Sequence, residues 1–114
     1  MHELAIALSL VDQLRRIAER EHATRITCVR IRVGPTSGVD GEALAFCFPM
    51  AAREYPSLEA TQLQITTEPL QWLCLTCHKL FSEPSSEPVC PYCGALEHHL
   101  TGSDELTLES VELT

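Results

Sequence analysis

Two cysteine pairs, Cys74-x-x-Cys77 and Cys90-x-x-Cys93, constrain this 114-residue chain more than any other feature. Two residues between cysteines let a tight turn bring both sulfurs to one cation at about 2.3 Å, and two such turns close a tetrahedron. Pro91 presets φ for the second turn, and Gly94 supplies a left-handed residue after it. In an exported chain, six cysteines would read as a disulfide framework. The paired spacing, and a start at Met1-His2-Glu3-Leu4 without the basic stretch and cleavage site of a signal peptide, read instead as reduced and metal-binding. Zn²⁺ is the expected ion, held by Cys74, Cys77, Cys90 and Cys93. With every position filled by protein, no place remains for water or substrate, so the role is structural. A redox dithiol pair or an iron centre are the alternatives.

Charge narrows the partners. Eight Lys and Arg face 16 Asp and Glu, a formal net charge of −8. The phosphate backbone and anionic membranes repel such a chain unless its bases cluster, so neither nucleic acid nor membrane is an expected partner. No apolar run approaches the length of about 20 residues needed to span a bilayer. A cytoplasmic protein is the default. Zinc-enzyme patterns fail at single positions. A deaminase needs His-x-Glu and Pro-Cys-x-x-Cys, whereas His2 and Glu3 are adjacent and Val89 precedes Cys90. The HExxH metalloprotease pattern fails because Ile6 stands at its second histidine. The chain does not read as an enzyme.

Outside the cysteine segment, hydrophobic period sets the elements. Leu4, Leu8, Val11, Leu14 and Ala18 recur at three- and four-residue steps, predicting an amphipathic helix from His2 to about Glu21 that starts almost at the chain terminus. Val29, Ile31 and Val33 alternate with Arg30 and Arg32, predicting a strand with one wet face within 24–33. Gly34-Pro35-Thr36-Ser37-Gly38 is turn chemistry. Asp40 caps a second predicted helix running to about Tyr55, with Leu44, Phe48 and Ala51 or Ala52 inward and a kink or break at Pro49. Leu63 and Ile65 alternate in a second strand. Leu106 to Leu113 is a third, and its apolar residues change parity halfway. A β-bulge near Glu109-Ser110 would return all four to the core side.

The expected fold is α+β: a small three-stranded sheet with two helices on one face, and a zinc-ribbon-like lobe inserted between strands two and three. Residues 1–70 and 103–114 would form one domain and 71–102 the lobe, with Trp72, Leu75, Phe81 and Tyr92 as its apolar contacts. His78, His98 and His99 near the pairs read as solvated loop residues, or as groups that exchange for a cysteine or hydrogen-bond a sulfur. Cys28 and Cys47 read as buried inert thiols. Met1-His2-Glu3 crowds an α-amine, an imidazole and a carboxylate, with backbone amides that can deprotonate onto a metal. Ni²⁺ and Cu²⁺ favour such nitrogen-rich sites.

In order along the chain, Met1-His2-Glu3-Leu4, Val29 to Gly34, Ser37-Gly38-Val39, Glu42-Ala43-Leu44, the two CxxC pairs and Gly102…Glu105-Leu106 resemble the HypA/HybF family. Its members are nickel metallochaperones for [NiFe]-hydrogenase maturation. The resemblance implies that His2 is the principal Ni(II) ligand, assisted by backbone nitrogen near Met1 to Glu3 and by the Glu3 carboxylate. It makes Cys74, Cys77, Cys90 and Cys93 the structural zinc ligands. The implied partners are a HypB-type GTPase, the hydrogenase large-subunit precursor and, for some members, urease maturation proteins. Two departures stand out: Gly34-Pro35-Thr36-Ser37 replaces Gly-Glu-Leu-Ser, and Gly94-Ala95 occupies the place of an occasional histidine beside the second pair.

Overall fold

A computed structural model describes residues 2–82 and 89–114. The first helix, α1, runs from Glu3 to Arg20 and buries Ala7, Leu10, Val11, Leu14 and Ala18. At its C-terminus the chain turns through His22 at φ 54°, where Ala23 N–H bonds the Ala18 carbonyl at 2.9 Å. Strand β1, Ile26–Val33, follows. Asp40 then caps α2, Gly41–Ala52, its carboxylate accepting from the Glu42 and Ala43 amides at 3.0 and 3.3 Å.

The second helix is neither split at Pro49 nor as long as its sequence pattern. It runs through Pro49 and stops at Ala52. Pro56 forces Tyr55 into extended backbone, so the helix cannot pass it, and the chain makes a single 3₁₀ turn over Pro56–Leu58 instead. Leu44, Phe48, Ala51 and Ala52 all face inward.

Strand β2, Gln62–Thr67, lies parallel to β1, with α2 as the crossover between them. The other neighbour of β1 comes from the far end of the chain: β6, Leu106–Leu113, pairs antiparallel with it. The order is β2-β1-β6. Arg30 pairs with Ser110 but Ile31 with Leu108, so Glu109 is an extra residue, the bulge expected there. Leu106, Leu108, Val111 and Leu113 consequently all pack on the core. A second bulge, at Thr27, puts Ile26 on the core side together with Val29 and Ile31. Both helices cover this side. On the opposite side Arg30 reaches Gln64 and Glu112, and Arg32 reaches Glu68 and Glu109, at 3.0 to 3.3 Å.

Between β2 and β6 the chain forms a second three-stranded sheet, ordered β4-β3-β5: β3 is Gln71–Cys74, β4 Leu80–Ser82 and β5 His98–Thr101. Its small core holds Cys74, Phe81 and Cys90, with Trp72, Cys77 and Ala95 partly buried against them. Leu75 and Tyr92, read as lobe contacts, are exposed instead, because each sits at the tip of a turn that points its backbone at the sulfurs. The molecule measures 55 × 24 × 16 Å with a radius of gyration of 18.2 Å. A compact chain of this length would have a radius of gyration of roughly 13 Å. Where the two sheets meet, Gly34 N–H donates to the Glu105 carbonyl at 2.9 Å and Thr36 N–H to the Ser103 carbonyl at 3.2 Å. A Cβ at Gly34 would strike the Ser103 carbonyl, so the approach requires glycine.

Deleting Glu109 would straighten β6 and turn two of its four apolar residues to water. Full burial of such a side chain is worth ~1.5–3 kcal/mol, and these are partly buried, so the expected loss is roughly 2–4 kcal/mol, measurable by urea unfolding. Glu109→Ala, which keeps the extra residue, should cost under about 1 kcal/mol, since only an exposed ion pair goes.

Candidate metal centre and the amino-terminal residues

Each cysteine pair builds the same turn. In the first, His78 N–H donates to the Cys74 carbonyl at 3.0 Å and Cys74 N–H to the Lys79 carbonyl at 3.0 Å. In the second, Gly94 N–H donates to the Cys90 carbonyl at 2.9 Å and Cys90 N–H to the Ala95 carbonyl at 3.1 Å. The residue after each pair is left-handed: His78 at φ 61° and Gly94 at φ 77°. Gly94 adopts this conformation freely, whereas His78 pays for it in backbone strain. The turns also aim amides at sulfur: Thr76 and Cys77 N–H donate to Cys74 Sγ, and Tyr92 N–H to Cys90 Sγ, all at 3.4 Å.

All four sulfurs lie within 4.8 Å of one another. Cys74 and Cys93 stand 3.5 Å apart, Cys77 and Cys90 3.6 Å. Ligands at ~2.3 Å around a tetrahedral ion would be separated by about 3.8 Å, so the cluster fits Zn²⁺. Among the described residues these four are the group able to hold a metal, and no histidine joins them. His78 and His99 are exposed. His98 is not a solvated loop residue: it sits on β5 with its ring edge-on to Trp72 at 4.8 Å, and Nδ1 donates to the Leu96 carbonyl at 2.6 Å. Alternation along β5 puts it against the lobe core, a placement legible only once β5 is known to pair with β3. Cys28 is buried and Cys47 half-buried, both apart from the cluster.

The electrostatics divide the four thiols by position in the turn. The Cys77 amide, aided by the Thr76 amide and the Cys93 and Cys77 thiols, outweighs burial and brings Cys74 down to about 6. At Cys90 burial is the largest influence and opposes ionisation, but the Cys93 and Tyr92 amides with the Cys77 and Cys93 thiols prevail and lower it. The second cysteines go the other way. The Lys79 amide pulls Cys77 down, yet burial and the Cys90 and Cys74 sulfurs raise it. The Ala95 amide likewise pulls on Cys93, while the Cys74 sulfur, burial and the Cys90 and Cys77 sulfurs push it up to about 12. The first cysteine of each pair therefore ionises more readily than the second, and across the cluster Cys74 faces Cys93 and Cys90 faces Cys77. A divalent cation would displace the protons that Cys77 and Cys93 retain.

At the other end of the chain, Met1 lies outside the described residues. His2 is exposed and extended at the head of α1; its carbonyl accepts from Ile6 N–H at 3.2 Å, and its imidazole makes no capping bond. Glu3 is half-buried, and its Oε2 accepts from the Asp40 N–H at 3.2 Å. The chain start is therefore tied to the head of α2, and α1 and α2 run side by side in the same direction, with Arg15 over the Tyr55 ring at the far end. Asp40 reads in sequence as a helix cap alone. A 37-residue separation carries no local signal that its amide would meet Glu3.

An α+β layer carrying a four-cysteine lobe defines a small metal-handling protein. A family model described as "Hydrogenase/urease nickel incorporation, metallochaperone, hypA" matches residues 1–113, and the chain belongs to this family of metallochaperones, which are not enzymes. It is 34% identical to the hydrogenase maturation factor HypA of Prosthecochloris aestuarii over 113 residues, 99% of each chain. With HypA of Picosynechococcus sp. the identity is 37%, again covering 99% of each chain. The fold matches the solution structure of the Ni metallochaperone HypA from Helicobacter pylori, at a TM-score of 0.66 and 24% identity over 99% of this chain and 97% of the other.

Binding of Zn²⁺ to the metal-free protein near pH 7.5 should release at least two protons, those of Cys77 and Cys93. The apparent affinity should then rise at least roughly 100-fold per pH unit around neutral pH. Calorimetry in buffers of different ionisation enthalpy counts the protons; a release near zero would contradict the thiol assignment.

Proposed function

We propose that the protein carries Ni(II) at its amino-terminal residues and passes it to the [NiFe]-hydrogenase large-subunit precursor together with a HypB-type GTPase. The reading rests on family membership and, above all, on one observation: an exposed His2 imidazole that makes no capping bond, beside a Glu3 carboxylate anchored to Asp40 N–H. His2 is the principal ligand, with backbone nitrogen near Met1 to Glu3, and Glu3 positions the segment or adds an oxygen. The imidazole and amide nitrogens suit Ni(II). An open surface site also releases its ion to a partner faster than a buried cage would. Urease maturation proteins are a further class of client.

Zn²⁺ at Cys74, Cys77, Cys90 and Cys93 serves as the core of the second lobe, residues 71–102, with 1–70 and 103–114 forming the nickel-carrying domain. Three buried residues, two of them ligands, supply too little apolar surface to hold three short strands without the ion. The lobe is then a rigid element set apart from the nickel residues.

Nickel titration by calorimetry on zinc-loaded protein, with Met1 as the first residue, tests the cargo site. One equivalent should bind to the native chain and none to His2→Ala. Equal binding by both would move the nickel elsewhere, with His98 and His99 next in line. Zinc removal should erase the dispersed amide signals of residues 71–82 and 89–101 while leaving those of α1 and β1 in place.

A further inference from the structure

The two edges of the β2-β1-β6 sheet are built differently. The β6 edge carries a bulge and two glutamates, features that discourage another strand from adding to it. The β2 edge has neither: Gln62-Leu-Gln-Ile-Thr-Thr67 contains no charge, proline or bulge, and β2 pairs only with β1 among the described residues. Glu68 N–H donates to the Val33 carbonyl at 3.1 Å, which fixes the alternation. In this parallel ladder Gln62, Gln64 and Thr66 turn their backbone groups toward β1, and Leu63, Ile65 and Thr67 turn theirs outward.

Beside that edge, on the helix side, a groove of about 570 Å³ runs between α2 and β2. Val39, Ala45, Leu63 and Ile65 give it an apolar floor, and Asp40 and Glu42 line it with no base among its walls. Gly41 keeps it open at the Thr67 end, where a Cβ would lie 3.3 Å from Ile65 Cγ2 and 3.4 Å from Thr67 Oγ1.

We propose that the β2 edge and this groove dock an extended segment of another protein, adding it as a fourth strand. Its backbone pairs with Leu63, Ile65 and Thr67. Alternate aliphatic side chains lie in the groove, and a lysine or arginine meets Asp40 and Glu42 at the Thr67 end. The acidic walls and the chain's net charge of −8 favour a basic segment over a second copy of this chain. Asp40 also holds Glu3, so the docked segment runs close to the amino-terminal residues.

The probe is acetyl-Lys-Thr-Val-Thr-Val-Thr-Lys-amide titrated into ¹⁵N-labelled, zinc-loaded protein without nickel. It should shift the amides of Leu63, Ile65 and Thr67 and slow their hydrogen exchange at least about ten-fold. Of two N-methylated versions, one on the Lys and Val residues and one on the Thr residues, only one should still bind, because a strand turns alternate amides to its partner. Thr67→Pro removes an outward N–H without touching the β1 ladder and should weaken binding about ten-fold; Glu42→Lys, on an exposed residue, should weaken it several-fold. Equal binding by both methylated peptides, shifts confined to other faces, or no binding at about 1 mM would overturn the proposal. So would slow exchange at the same amides that grows with protein concentration in the absence of peptide, since that assigns the edge to a second copy. No metal enters this measurement, so its outcome is separate from that of the nickel titration.

Discussion

Strand β1 is the constraint on which the larger half of the molecule depends. It is the middle strand, and its core-side residues Ile26, Val29 and Ile31 are essentially sealed from water. One neighbour, β2, comes after a helical crossover; the other, β6, arrives only after the chain has left, built a second sheet and returned. The helices can cover the sheet only if β6 presents all its apolar residues to them, and the Glu109 bulge makes that possible. The close approach of Gly34 to Ser103 then fixes where the returning chain rejoins the sheet.

The second lobe obeys a different rule. Its strands are three or four residues long and its core is nearly all sulfur and two aromatic rings. Its two turns converge backbone amides on Cys74 and Cys90, which favours negative sulfur there. The opposite holds at Cys77 and Cys93, where burial and the neighbouring sulfurs make the proton harder to remove. Four converging sulfurs could hold a divalent ion. The amino terminus instead presents one exposed imidazole and a tethered carboxylate, the groups on which the proposed cargo site rests.

Several side chains show how far local pattern carries. Gly94 reads as left-handed from its place after Cys93, and it is. Its counterpart His78 adopts the same conformation against its own preference, because the turn geometry at the first pair leaves no alternative. Leu75 and Tyr92 look like core residues by type, yet the turns that aim amides at sulfur leave their side chains in water. His98 looks like a loop residue by composition, yet pairing with β3 lays it on Trp72.

By itself the sequence determined the two helices, the three strands of the larger sheet, the bulge in the last of them, and the four cysteines as one cluster. Each of these follows from a short-range period or spacing, and such patterns are written in neighbouring residues. Only the tertiary structure decided that β2 lies parallel to β1 with its far edge open, that the lobe is itself a sheet, and that Glu3 meets the head of α2. The β1–β2 pairs are 34 positions apart, Glu3 and Asp40 are 37 apart, and β5 pairs with β3 across 24 to 30. Such contacts are selected by the burial of whole faces rather than by any local preference, so no window along the chain contains them.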